Sequence, residues 1–196
     1  MDLSEQKLLE NDFVRLEPLR DRHRGVLRPL ADEAELWALT SVRADGVHFD
    51  PWFYTMHAET RLDRQISYAV FDKLSGRYGG HTAFLSIVPE HQRVEIGWTW
   101  YGAEFRGTHV NPAAKRLMLE RAFEAGAERV ELKTHGRNER SQRAMEKLGA
   151  VREGVLRSQM NTWTGERRDT VYYSVLKEEW PDVRAGLDRR LTAMKP

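Results

Sequence analysis

RVEIGWTWYGAEFRGTHVNPAAKRLMLERAFE, Arg93 to Glu124, changes its hydrophobic period part-way along. Its opening residues alternate and are rich in β-branched and aromatic side chains, which predicts a strand over Arg93–Tyr101. Further on, Ala114, Leu117, Met118, Arg121 and Ala122 fall on adjacent turns, which predicts a helix from about Pro112 to Ala125. Asn111 before Pro112 is a helix-start signal: Asn accepts from orphan amides, and Pro is preset for the first helical position. Between the two lies a short loop with one glycine, Gly107. A helix N-terminus behind such a loop favours an anion, because free N–H groups and the dipole both face it. The same residues also read as a plain capped helix with no ligand, and the local sequence leaves both readings open.

The flanking patterns set the fold class. Upstream, Phe13–Leu16 reads as a short strand ending at Pro18, and Arg20–Leu39 as a charged helical stretch broken near Pro29. Ser41–Met56 holds Gly46, Pro51 and many aromatics, and is expected to be a surface loop, followed by a helix over Ala58–Gln65. Ser67–Phe71 and Tyr78–Val88 alternate as strands around a turn at Lys73–Arg77. Downstream come a strand (Arg129–Thr134) and a helix (Asn138–Leu148) closed by Gly149. A hairpin of Val151–Met160 and Thr170–Leu176 follows, then a charged helix over Glu178–Ala193. That order is α+β with a mixed, mostly antiparallel sheet. No repeat or Gly/Ser linker interrupts it, so one domain is expected over 1–196, with its core at about 12–180 and residues 181–196 in a C-terminal helix.

Composition narrows the function classes. A net charge of +1 gives no argument for nucleic acid or an anionic membrane. Zero cysteines exclude disulfides, thiolate metal sites and cysteine nucleophiles. His48 and His57 lack metal-ligand spacing, so no metal is expected. No nucleophile elbow or Walker-type loop occurs, which leaves hydrolase and NTPase readings unsupported. The N-terminus lacks an apolar signal region, and no run approaches the roughly 18 apolar residues of a spanning helix. A cytoplasmic location is expected.

The opening stretch together with ERVELKTHGRNERSQRAMEKLGAVREGVLR, Glu128 to Arg157, resembles the GNAT superfamily of CoA-dependent N-acyltransferases. The similarity is greatest to the RimJ/RimL-like branch, and RRDTVYYSVLKEEW looks like that branch's closing strand. The resemblance covers roughly Asp12 to Trp180. It implies a GNAT-like fold with helices on both faces of the sheet and a splayed strand pair that binds acyl-CoA. It also implies acetyl transfer from acetyl-CoA to a primary amine, on a protein N-terminus or a small molecule, and is compatible with a homodimer. Two other readings stay open: a non-catalytic acyl-CoA-binding module, or an acyltransferase for another donor such as succinyl-CoA, with Arg43 receiving its carboxylate.

Site residues follow from the resemblance. The family's pyrophosphate cradle aligns with Arg106, Gly107, Thr108, His109, Val110 and Asn111, but His109 and Asn111 stand where glycine or alanine is usual. His109 in a cradle that needs φ > 0 would carry a cost. Ile96, Trp98 and Trp100 lie on the strand expected to offer free edge groups to pantetheine, by strand addition. Trp98 and Trp100 read equally as acceptor-groove lining or core. Lys115, Arg140 and Arg143 could reach the nucleotide phosphates. Glu95 matches the general base, with a structural carboxylate paired to a neighbouring arginine as the competing reading. Ser141 matches the proton donor to the leaving thiolate, and otherwise an ordinary first-turn serine. Many relatives use a tyrosine four residues on, where this chain has Met145. Asn138 caps that helix and is placed by the resemblance at the pantetheine arm.

Overall fold

The computed structural model describes residues 1–195. Eight strands form one sheet: β1 (Leu9–Glu10), β2 (Val14–Pro18), β3 (Ile66–Asp72), β4 (Arg77–Val88), β5 (Arg93–Tyr101), β6 (Arg129–His135), β7 (Val151–Asn161) and β8 (Arg167–Leu176). Their spatial order is β1-β2-β3-β4-β5-β6-β8-β7. All neighbours run antiparallel except β5 and β6, which are parallel. The helix α3 (Val110–Glu124) makes the crossover between those two, as a parallel pair requires.

Period-2 alternation divides the side chains between two cores. On one face, Val94, Ile96, Val130, Leu132, Val171 and Tyr173 pack with α3 and with α5 (Trp180–Thr192). On the other, Ala69 and Trp100 pack with α1 (Arg24–Ala31), Trp37 and α2 (Phe49–Arg61). The helix α4 (Glu139–Leu148) lies beside β6 and α5. Burying each large apolar side chain stabilises the fold by about 1.5–3 kcal/mol.

Two expectations fail here. The segment Ser41–Met56 is not all loop, because a 3-10 turn at Gly46–His48 runs straight into α2. Its aromatics stand at helical spacing: Phe49, Trp52, Phe53 and Met56 are buried on one face, with Pro51 tolerated in the first turn. Pro29 does not break α1, which continues through it and ends at Ala31; a 3-10 turn follows at Ala34–Trp37.

Candidate active site

The β5–β6 ladder stops early. Its only register pairs are Arg93↔Arg129, Val94↔Val130 and Glu95↔Glu131. Beyond them Ile96–Tyr101 and Leu132–His135 diverge, leaving backbone groups of both strands free along a slot. A bulge in β5 drives the divergence. His81 pairs with Trp100 and Ala83 with Gly97, so Trp98 and Thr99 together face Thr82. Trp98 takes φ 48°, rare for a bulky residue, and its carbonyl oxygen lies 2.9 Å from His81 Nδ1. A carbonyl only accepts, so His81 Nδ1 carries the hydrogen.

The helix α3 points its N-terminus at the slot, but its start differs from expectation. The helix begins at Val110 with His109 as N-cap, so Asn111 and Pro112 lie inside the first turn and Asn111 caps nothing. His109 is helical at φ −64°, and only Gly107, at φ 76°, needs glycine's freedom. The expected cost of a histidine here therefore does not arise. Its Nε2 turns away to Asp72 Oδ1, 2.7 Å off, and its ring packs 5.7 Å from that of Phe13. Among the described residues, the amides of Gly107, Thr108, His109 and Asn111 have no hydrogen-bond partner. Thr108 Oγ1 donates to the Phe105 carbonyl and accepts from the Val110 amide, while the Val110 side chain is buried core. Arg106 is spent on structure: its guanidinium pairs with Glu33 and donates to the Tyr101 carbonyl.

A cavity of about 350 Å³ runs from Gly107 and Asn111 through the slot to the segment Leu36–Ser41. Asn111, Asn138, Arg140 and Ser141 line it, with Ile96, Trp98 and Trp100 along β5. Asn138 caps α4 by accepting the Ser141 amide at 3.1 Å, while the Ser141 hydroxyl has no partner among the described residues. Arg140 is exposed at the rim, whereas Arg143 bridges to Glu139. Glu95 is buried at the last paired rung. Its partner is not an arginine but Lys133 on β6, at 2.9 Å, with Ser86 Oγ at 3.5 Å. Lys115 does not reach outward for phosphates. It is buried, donates to Thr99 Oγ1 at 2.8 Å, and is pushed down to about 7 by burial, with the Glu95 charge partly opposing. Arg43 is turned from the site, paired with Asp45 and stacked over Trp163, so no cation at that position awaits a donor carboxylate.

A parallel pair that splays around a helix N-terminus, on this strand order, is a family architecture, and residues 14–151 match the acetyltransferase (GNAT) domain family. The chain belongs to that family. This GNAT acetyltransferase resembles a provisionally named acetyltransferase of T. thermophilus: 38% identity, covering 94% of this chain and 97% of that one, TM-score 0.85. It shares its fold with RimJ of Mycobacterium smegmatis, solved with CoA-disulfide: 18% identity, 95% and 96% coverage, TM-score 0.81. A Bacillus subtilis (strain 168) protein, YdaF, provisionally named a ribosomal N-acetyltransferase, is 36% identical over 91 residues. That match takes in 46% of this chain and spans about half, 49%, of the relative's length. With RimJ, at that identity, the likeness is one of fold.

Four cavity residues of the GNAT enzyme carry no local signal in its sequence: Trp37, Lys133, His135 and Arg168. A longer-range signal exists for three of them. Lys133 and His135 on β6, and Arg168, Thr170 and Tyr172 on β8, interleave with the buried Leu132, Val171 and Tyr173 at period 2. A polar face on two central strands marks a site rather than a core.

Proposed function

We propose that the enzyme transfers acetyl from acetyl-CoA to a primary amine by direct attack within a ternary complex. The splay of β5 from β6 beyond Glu95, opening beside the free amides of Gly107, Thr108, His109 and Asn111, carries this reading. The slot fits the co-substrate on this chain's own terms: an unpaired β5 edge suits pantetheine's amides, and unpartnered N–H groups at a helix start suit a pyrophosphate. Arg140 at the rim supplies a cation for phosphates.

The chemistry needs one proton removed and one returned. As the C–N bond forms and the C–S bond breaks, the amine's proton goes to Glu95, directly or through one water. Ser141 Oγ–H stands ready to protonate the thiolate, since Met145 has no proton to give. Lys133 holds the Glu95 carboxylate in place for this. An α-amine of pKa about 7.7–8.0 asks little of its base near neutral pH. With no cysteine in the chain, a thiol acyl-enzyme is excluded.

Calorimetric titration with acetyl-CoA, followed by thiol release across an amine panel, tests the proposal. Binding with turnover above background is expected. Absence of binding sinks it, and binding without turnover on any amine reduces the protein to an acyl-CoA-binding module.

A further inference from the structure

Arg168 is a buried cation with no ion-pair partner among the described residues. It is 7% exposed and lines the cavity, yet no carboxylate pairs with it among the described residues. Its Nε donates to Thr170 Oγ1 at 3.2 Å and its Nη1 to the Leu39 carbonyl at 3.4 Å, which leaves Nη2 unused. The cavity's one acidic lining residue among those described is Glu95, already held by Lys133. A charge buried without a counter-ion is costly, and a fold keeps one where a ligand completes it.

His135 adds a second orphan donor on the same face. Its Nδ1 accepts the Arg137 amide at 3.0 Å, so Nε2 carries the hydrogen, and that Nε2 is buried with no partner. Burial lowers the pKa of His135, with the charges of Arg168 and Arg137 adding to the effect, which keeps the ring a neutral N–H donor. His135 pairs in register with Thr170, and Arg168 lies two residues from Thr170 on the same face of β8. Met160, opposite Arg168 on β7, and Trp37 and Leu39 bound the space apolarly.

We propose that Arg168 and His135 form a carboxylate receptor, so that one reactant carries a free carboxylate beside its reacting group. The forked guanidinium suits a carboxylate, and the imidazole N–H adds a third donor. The reactant is either an amino acid serving as acceptor through its amine or a dicarboxylic acyl group on the CoA donor. The inference rests on the acyl-transfer reading for its reaction, but its test reads binding directly.

The experiment is calorimetry in two arms. In the acceptor arm, CoA-saturated protein is titrated with L-leucine and L-phenylalanine, each against its amide. In the donor arm, free protein is titrated with succinyl-CoA against acetyl-CoA. In one arm the carboxylate ligand should bind roughly ten- to a hundredfold tighter than its neutral counterpart. Arg168→Gln should collapse that gap while acetyl-CoA affinity stays within about twofold. Should Arg168→Gln fail to fold, His135→Phe must narrow the same gap. No gap in either arm for the wild type overturns the receptor, as does a gap that survives both substitutions. Carboxylate discrimination without acetyl-CoA binding would instead overturn the acyltransferase reading and leave the receptor standing.

Discussion

His81 Nδ1 donates across 2.9 Å to the carbonyl oxygen of Trp98, the residue whose left-handed backbone makes the β5 bulge. That one bond ties β4 to the point where β5 turns from β6. His81 is fully enclosed between Trp52 and Trp100, and burial pushes its pKa down to about 4. The unfolded chain takes up this proton near 6.5 and the folded one only near 4, so stability falls as pH drops through that window. The slope from this residue is at most about 1.4 kcal/mol per pH unit. In His81→Leu the pH dependence should flatten between 6.5 and 4, with a loss at pH 7 of about 1–3 kcal/mol from the unpaired Trp98 carbonyl. Denaturant unfolding of both proteins at several pH values measures this. An unchanged pH slope would show that another group controls acid sensitivity.

Glu95 and Lys133 sit on adjacent strands at the end of the paired ladder, 2.9 Å apart. If Glu95 takes the amine proton, Glu95→Gln should lower kcat by about 10²-fold or more while leaving acetyl-CoA affinity nearly unchanged. Single-turnover kinetics with calorimetry separates the two. Equal losses in both quantities would assign Glu95 to holding the slot open.

Asn138 and Ser141 share one hydrogen bond but divide its consequences. Asn138→Ala removes the α4 cap and should cost about 1 kcal/mol in thermal or denaturant unfolding. Ser141→Ala keeps the amide that the cap uses and should leave stability within about 0.5 kcal/mol, while kcat falls. A stability loss in Ser141→Ala matching that of Asn138→Ala would mean that its hydroxyl is structural.

The elements with a clear period are legible from sequence, and β5 matches its expected bounds of Arg93–Tyr101. The departures share a cause. The α2 aromatics read as loop because Gly46 and Pro51 bracket them, although Phe49, Trp52, Phe53 and Met56 repeat at helical spacing. At the site, Asn138 shows as a helix cap, and Glu95 is reached through the family resemblance. Lys133, His135 and Arg168 show in the sequence only as polar positions interleaved with apolar ones, and their meaning depends on which strands lie side by side. The register between β6 and β8 brings His135 and Arg168, far apart in the chain, onto one face. No local window contains that fact.

His109→Gly is the substitution that the sequence alone would regard as restoring the cradle. The structure reverses its sense. His109 is helical already and anchors α3 to β3 through Asp72, so glycine removes a hydrogen bond and a packed ring and loosens the cap. The variant should lose about 1–3 kcal/mol of stability and gain no CoA affinity. Differential scanning calorimetry and acetyl-CoA titration check the pair. Tighter CoA binding at unchanged stability would restore the glycine argument.

Lys115 is a second buried cation, enclosed beneath the slot with Thr99 Oγ1 as its hydrogen-bond acceptor. Burial holds its pKa at about 7, against an ordinary 10.5. Above 10.5 both folded and unfolded chains carry the neutral amine, and below about 7 both carry the cation. Between the two the unfolded state binds the extra proton, so the penalty for enclosing Lys115 is complete at pH 7 and shrinks as pH rises. Lys115→Met fills similar space without the charge. It should therefore be more stable than wild type at about pH 6–7, and that advantage should diminish steadily towards about pH 10. Urea midpoints for both proteins across this range provide the measurement. A constant difference between them would mean that Lys115 stays charged in the fold, held by Glu95 more strongly than burial opposes it.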